Sequence, residues 1–563
     1  MLNIVHGIDI ADPGFLPGPF MADIDNCFTF VRHEPFLFAR FVSGWIEIQG
    51  LSSYFLGNCI AGDGDQPDGI FASWRWDGTR LTVTNDRYGF HPLFYFSHEN
   101  SVGISRSVIK LLELGAPTDL DEEGLAVFLR LGFFIGDHTP FKYIRALPPN
   151  VSFEWSAGKL RISGDFLIPE QRHISRDEAI DRYIVAVENA IRKRLPADGK
   201  CALPLSGGRD SRHLLLGLCD AGCPPTECIT VLHTPPLPNS DLIAAANLTA
   251  ALKLKHVVCV QHEHRLNAEI LKNVKTGMCS DEHTHYMVLS DYLADRFSTV
   301  FDGIGPDTLT GQAYHFAQLG KVEELEGAGL LRYAEYLIGA FPKRNSMHEI
   351  FLANVLQPEQ YRRFNRTLAV ESIVKELTRH SNAPNPIASF FFWNRTRREI
   401  ALVPFLIMDR VPNVFCPYLD KEVYDLLSSL PTSMFLDLNF RTDALKRAFP
   451  NYRNIPYEES VPAPVVCAES YFRRFGQDLL HWTVKRRSSK LVHYSRVLRM
   501  STRAAIDAAY ARSLFSYRWI GPHTVYLLQL EGIIEQALKL HNPTSSLHPY
   551  VPRFAIREEQ PRR

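Results

Sequence analysis

Six consecutive residues, Ser206-Gly207-Gly208-Arg209-Asp210-Ser211, place two glycines, an acid and two hydroxyls between the apolar runs of "LPLSGGRDSRHLLLGL". That make-up suits an anion. Gly207 and Gly208 can adopt conformations other residues resist, and they let a ligand approach the backbone. Successive N–H groups at a helix start, where the dipole also favours negative charge, complete a phosphate cradle. Ser206 and Ser211 add hydroxyl donors. Asp210 would repel a phosphate unless a hard cation lay between them, so it reads as a Mg2+ ligand. No G-x-x-x-x-G-K-[ST] string is present, so the loop is not a Walker A. A second set follows in "STVFDGIGPDTLTGQ" from Ser298, which carries Asp302, Gly303, Gly305, Asp307 and Gly311. Acids from two loops can share one metal ion and bridge it to a polyphosphate.

Loops of this kind need a sheet behind them. "CALPL" is a short buried strand ending at Leu205, and "SRHLLLGLCDAG" is a helix with Gly222 as its stop. "TECITVLHT" is the next strand, with Val231 near its end. "NSDLIAAANLTAALKL" is a helix starting at Asn239 or Ser240, and "KHVVCVQ" is a third strand. Strands alternating with helices imply right-handed crossovers, a parallel sheet, and ligands beyond the carboxyl ends of the strands. Val300-Phe301 reads as another buried strand end, which brings the second acid set to the same edge. The N-terminal third differs. It shows short alternating runs, among them "VSFEWSAGKLRISGDF", a hairpin turning at Ala157-Gly158. The pattern shifts near residues 165–180, where "SRDEAIDRYIVAVENAIRKRL" starts a helix that Ser175 can cap.

Composition narrows the class. The chain has 563 residues, enough for two to four domains, with a net charge of −1 that argues against a nucleic-acid partner. No apolar run approaches the ~20 residues of a membrane span, and no signal-peptide pattern opens the chain. The ten cysteines are scattered, which fits a reducing cytoplasm. Cys219, Cys223 and Cys228 cluster, but zinc would need a fourth ligand and tighter pairing, so they read as packing thiols.

S-G-G-x-D-S after a strand resembles the pyrophosphate loop of the ATP pyrophosphatase enzymes, which split ATP into AMP and pyrophosphate. Alone it leaves open the tRNA-thiolating enzymes, NAD synthetase and argininosuccinate synthetase. The second loop looks like the other ATP-site motif of the asparagine synthetase family, with Asp307 on that motif's metal-binding acid. "MDRVPNVFCPYLDKEVYDLLSSLP" is similar to the same family's R-x-P-(F/Y)-L-D signature at Arg410, Pro417, Tyr418, Leu419 and Asp420; the residues themselves read as an apolar-periodic helix with a buried lead-in. "NDRYGFHPLFYF" resembles the family's amidotransferase domain, where such a run lies on a hairpin, with Asp86, Gly89, Pro92, Leu93 and Tyr95 matching. "ISRSVIKLL" and "YIRALPPN" continue the order. The resemblance spans roughly residues 60–460. It implies an N-terminal αββα (Ntn-like) sandwich, residues 1–170, followed by an α/β parallel-sheet PP-loop synthetase domain with a helical C-terminal part, residues 171–563. It further implies ATP and Mg2+ as cofactors. Ser206, Gly207, Gly208, Ser211, Asp302 and Gly303 would hold the phosphates, with adenine against the strand ends near Leu205 and Val231.

The departures are as informative. Family members that hydrolyse glutamine use an N-terminal cysteine. Here Leu2 follows Met1, Cys27 and Cys59 are internal, and the R-G-P-D and N-G-E-I-Y-N strings are missing, so the expectation is a scaffold without glutaminase chemistry. Ile304 occupies the place where asparagine synthetases carry a Glu and β-lactam synthetase has a Tyr nearby. The R-x-K that brings a lysine to the phosphate is replaced around Tyr457-Glu458-Glu459, leaving Lys446 as the nearest lysine. "CSDEHTHYMVLSDYL" offers a substitute base in Glu282 or His283, at the start of a helix capped by Ser280. "KRRSSK" at Lys485 reads as a solvated face or a basic edge for a peptide. These features favour an AMP-forming carbon–nitrogen ligase using an amine of the substrate itself, as in β-lactam synthetase and lasso-peptide macrolactam cyclases. The substrate would be a small-molecule or peptide carboxylate, and the cyclase likeness implies a leader-peptide or protease partner. The alternatives are an ammonia-using asparagine synthetase, a nucleotide-binding pseudoenzyme, and a tRNA thiolase that neutral charge disfavours.

Overall fold

The computed structural model describes residues 8–11, 26–60, 68–232, 239–262, 264–311, 328–340, 349–461, 469–516 and 520–541. Among the described residues, sixteen strands form three sheets. In chain order they are β1 (Ile8–Ala11), β2 (Phe36–Val42), β3 (Trp45–Gly50), β4 (Ser53–Ile60), β5 (Asp68–Trp76), β6 (Arg80–Asn85), β7 (Phe94–His98), β8 (Ser101–Ser105), β9 (Ile144–Ala146), β10 (Ser152–Ser156), β11 (Lys159–Ser163), β12 (Ala202–Pro204), β13 (Glu227–Val231), β14 (His256–Cys259), β15 (Thr299–Phe301) and β16 (Asn413–Phe415).

Two antiparallel sheets, β11-β10-β6-β5-β4 and β3-β2-β8-β7-β9, make the N-terminal sandwich. Alternation decides it: Leu37 and Ala39 of β2 and Val102 and Ile104 of β8 point inward against Trp74, Leu81, Val83, Phe153 and Trp155 of the other sheet. The β10–β11 hairpin turns as expected at Ala157 and Gly158, both with positive φ, +48° and +78°, the geometry whose twist matches the flanking strands. The run from Asp86 to Tyr95 does not form the expected hairpin. It carries the chain from β6 in one sheet to β7 in the other. Asp86 organises this crossing, because its buried carboxylate accepts the N–H groups of Phe71 (3.1 Å) and Tyr88 (2.9 Å). Burial outweighs those bonds and pushes its pKa up to about 6.

The third sheet is wholly parallel, in the order β1-β14-β13-β12-β15-β16. Its edge strand β1 comes from the start of the chain, so Ile8–Ala11 sits with the α/β part rather than in the sandwich. The crossovers include the helices Asp210–Asp220 and Ser240–Leu252. Helix Arg176–Arg192 packs on this layer, and its N-cap Ser175 accepts the Glu178 N–H. The helical C-terminal part shares a core with the sandwich's helices: Phe128 stacks on Tyr526, with ring centroids 4.7 Å apart. Buried arginines also fasten the halves. Arg397 donates to the Gly89 and Leu147 carbonyls, and Arg130 to that of Phe364 (2.8 Å). A cavity of about 420 Å³ lies between Gly136–His138 and Ser372–Arg379, and neither phosphate-type loop lines it. Among the described residues no helix is long and apolar enough to cross a membrane.

Candidate active site

β12 and β15 are neighbours in the parallel sheet, with Ala202 opposite Val300. Both strands run the same way, so the chain leaving each one emerges at the same edge. The first loop and the second therefore meet there. A Cβ placed on Gly303 would sit 3.5 Å from the Ser211 nitrogen and 3.6 Å from the Asp210 Cβ.

The first loop is bound up internally. The Ser206 and Ser211 hydroxyls lie 3.0 Å apart, and Ser211 Oγ accepts the Ser206 N–H at 3.1 Å. Ser206 Oγ accepts the Gly208 N–H at 3.2 Å, and Asp241 Oδ1 accepts the Gly207 N–H at 2.6 Å. Neither glycine has a positive φ. Gly207 is required instead by crowding, since a Cβ there would lie 2.8 Å from the Glu458 Cβ and 3.0 Å from the Asp241 Cα. Around Gly208 only Ser206 Oγ is near, so its flank is open to a ligand. Leu205 is buried and its carbonyl accepts the Thr230 hydroxyl at 2.7 Å. Val231 is half-buried at the end of β13, and the segment 233–238 beyond it lies outside the described residues.

Asp210 opens the helix Asp210–Asp220. Arg441 Nη1 donates to its Oδ2 at 2.6 Å, and the Tyr418 hydroxyl donates to its carbonyl at 2.9 Å. The Asp210 pKa is raised, first by burial and then by Asp307; the Arg441 guanidinium opposes both. In the second loop Asp302 is turned on its own chain: its Oδ1 accepts the Ile304 N–H at 2.9 Å, and burial lifts its pKa to about 6. Asp307 is exposed at the start of the short helix Pro306–Gly311. The two loops thus bring Asp210 and Asp307 close enough to act on each other, and the Arg441 guanidinium interacts with both. Among the described residues no group of three or more His, Cys, Asp or Glu side chains could enclose a metal. A pair of carboxylates nevertheless matches how Mg2+ is bound beside a nucleotide, by one or two acids with phosphates and waters completing the shell.

Three features here take positions that sequence reasoning did not assign to them. Arg441 is the first; nothing local distinguishes it from the other arginines of "FRTDALKRAF". Lys446, five positions on in the same helix Phe440–Ala448, is exposed instead. The second is the segment at Tyr457-Glu458-Glu459, which lies on the first loop. Glu458 N–H donates to the Gly207 carbonyl at 3.3 Å, and Glu459 pairs with Arg209 at 2.7 Å. Arg212 lies 4.0 Å over the Tyr457 ring. A hydrogen bond to the Asp241 carboxylate, ahead of burial, pushes Glu458 up to about 8.

The third is Glu399, which changes the reading of the acidic turn. Helix Tyr286–Leu293 begins after His285, so Asp281, Glu282 and His283 form a turn ahead of it, and Ser280 bridges to Phe133 rather than capping. His283 is buried at φ +76°, with Ser280 Oγ 3.0 Å from its Nδ1. Burial, then His285, Arg395 and Lys272, hold its pKa well below the usual imidazole range. It is a poor proton acceptor at neutral pH. Glu282 meets Arg395 at 3.3 Å, and Arg395 reaches Glu399 at 3.5 Å. Glu399 and Arg395 both sit on a π-helical stretch, Phe392–Ile400, a distortion that often accompanies functional sites. Burial and Glu282 push Glu399 up to about 8, while Asp281, buried beside Glu399, is raised well above the carboxylate range. Thr308 of the second loop's helix touches Thr396 of the same stretch at 2.8 Å, which sets this cluster beside Asp307.

Other singled-out residues do structural work. Asp420 is buried, caps helix Lys421–Ser428 and pairs with Arg194 at 2.8 Å. Arg410 pairs with Asp291 at the surface. Cys201 and Cys228 are buried with their thiols pushed above the ordinary range.

A family model described as asparagine synthase matches residues 185–519, and one described as glutamine amidotransferase domain matches residues 64–165. No curated protein matches the chain.

Proposed function

The chain belongs to the asparagine synthase family of ATP-dependent ligases, and from that premise we propose that it joins a carboxylate to an amine through an acyl-adenylate, releasing AMP and pyrophosphate. The observation that carries this reading is the meeting of Asp210 and Asp307 across adjacent loops, each at the end of a parallel strand.

ATP would lie with its phosphates over the open flank of Gly208 and the hydroxyls of Ser206 and Ser211. Asp210 and Asp307 would hold Mg2+, which when bound screens the phosphates from the two acids. Catalysis on this side is positioning and fixed charge. The carboxylate oxygen attacks the α-phosphorus, pyrophosphate leaves, and the amine then displaces AMP. Glu282, partly exposed and held by Arg395, is the group proposed to take the amine's proton, with Glu399 and Asp281 behind it. Ile304 cannot serve as a base. The excess of acid beside Asp307 suits an ammonium group arriving with the substrate, which supports an amine of the substrate itself as nucleophile, as in macrolactam or β-lactam formation, rather than asparagine synthesis from ammonia.

The test is ATP–pyrophosphate exchange with candidate carboxylates, including peptides that carry both termini, followed by AMP release on cyclisation. Asp210→Asn should abolish exchange. Exchange at the wild-type rate in that variant would remove Asp210 from the reaction, and AMP release that requires added ammonia would replace the substrate-amine reading.

A further inference from the structure

Among the described residues, four guanidinium groups stand beside the loops or the acidic turn. Three are engaged elsewhere. Arg209 donates to Thr442 Oγ1 at 2.6 Å and to Glu459 at 2.7 Å. Arg212 donates to the carbonyls of Ile455 (2.8 Å) and Pro456 (2.7 Å). Arg395 serves Glu282 and Glu399. Arg441 alone of the four is hydrogen-bonded to Asp210, the acid at the head of the first loop's helix.

Its placement is fixed from behind, and the side chain itself is mostly buried. Phe440 is buried against Tyr183 and Phe435, and Thr442 is buried and holds Arg209, so the backbone at 441 is anchored on both sides. The side chain reaches from this anchor into the notch between the two loops. Its Nη2 would lie 3.5 Å from a Cβ on Gly311, at the end of the second loop's helix, while Nη1 meets Asp210 on the other wall.

We propose that Arg441 is a catalytic residue that receives the departing pyrophosphate; this rests on the AMP-forming reading above. The carboxylate oxygen bonds to the α-phosphorus, and the bond from that phosphorus to the oxygen bridging it to the β-phosphorus breaks. The electron pair stays on that oxygen, so negative charge grows on pyrophosphate. Arg441 keeps its proton throughout and supplies a permanent positive charge. A planar fork accepts a carboxylate or a phosphate by the same parallel N–H pairs. In the resting site the fork meets Asp210; in the reacting site it turns to the phosphate.

Calorimetric titration of the full chain with AMP, and separately with magnesium pyrophosphate, tests this without knowledge of the carboxylate substrate. The wild type should bind both. Arg441→Met should weaken pyrophosphate about 30-fold or more while leaving AMP within about 3-fold, the signature of a lost charge-assisted fork. Arg441→Lys, which retains the charge and the pairing with Asp210, should melt like the wild type and still lose about 5-fold for pyrophosphate. Wild-type pyrophosphate affinity in either variant overturns the role of Arg441 while the nucleotide site stands. Equal loss of AMP and pyrophosphate overturns it too, since the residue would then only brace the loop. A wild-type chain that binds neither ligand removes the nucleotide reading, and the assignment falls with it.

Discussion

The two sides of the candidate site differ in how their acids are shared among guanidinium groups. On the nucleotide side two acids face fixed cations: Asp210 has Arg441, and Glu459 has Arg209. On the acceptor side a single guanidinium, that of Arg395, serves both Glu282 and Glu399, and burial beside one another pushes Asp281 and Glu399 toward their protonated forms. A guanidinium stays charged across the physiological range, whereas a carboxyl proton held by burial is released as pH rises. The nucleotide side has an acid pair of its own in Asp241 and Glu458, so the contrast is one of proportion: two acids there each have a guanidinium, whereas two acids here share one.

The sharpest way to break this contrast is at Glu399. Glu399→Gln should lower kcat about 10- to 100-fold and leave ATP binding intact, as expected for loss of a proton-handling group. The wild-type rate should climb with pH through about 8, where Glu399 titrates, and the variant should lose that limb. Stability should move the other way. A carboxyl whose folded pKa is raised holds its proton after the unfolded chain has released it, so its contribution is complete below the unfolded pKa and disappears as pH rises through about 8. Glu399→Gln should therefore gain in melting temperature over wild type more at pH 9 than at pH 5. An equal difference at both pH values would show that Glu399 is ionised throughout. A smaller effect is expected at Gly207. Gly207→Ala must push against Glu458 and Asp241, and ATP affinity should fall about 10-fold, as a shifted cradle would cause. Unchanged affinity would mean that the phosphates do not use this loop. The smallest is at Lys446, whose exposed position predicts that Lys446→Ala stays within about 2-fold in all rates.

Much of the nucleotide side was legible because its signals are local. A short apolar strand, a glycine pair and a helix start occupy consecutive residues, and they fold where the pattern puts them, with helix Asp210–Asp220 following β12. The hairpin at Ala157-Gly158 and the cap at Ser175 are local in the same sense. The run from Asp86 to Tyr95, which the family resemblance put on a hairpin, links two hairpins, β5–β6 in one sheet and β7–β8 in the other; only the partners of β6 and β7 decide that.

From the residues themselves came a β-rich N-terminal third, a parallel sheet after it and the two acid-bearing loops; the sandwich and the mismatch at Ile304 came from the family resemblance. Tertiary structure decided the rest. Arg441 rather than Lys446 enters the notch because the face bearing Phe440 and Leu445 is buried and carries residue 441 to the site. Ser280 and Glu399, 119 residues apart in sequence, meet at 3.4 Å, and it is burial at that contact which makes an ordinary glutamate hold a proton near neutrality. Charge type is written in the chain; desolvation and the distance between charges exist only once distant segments have packed.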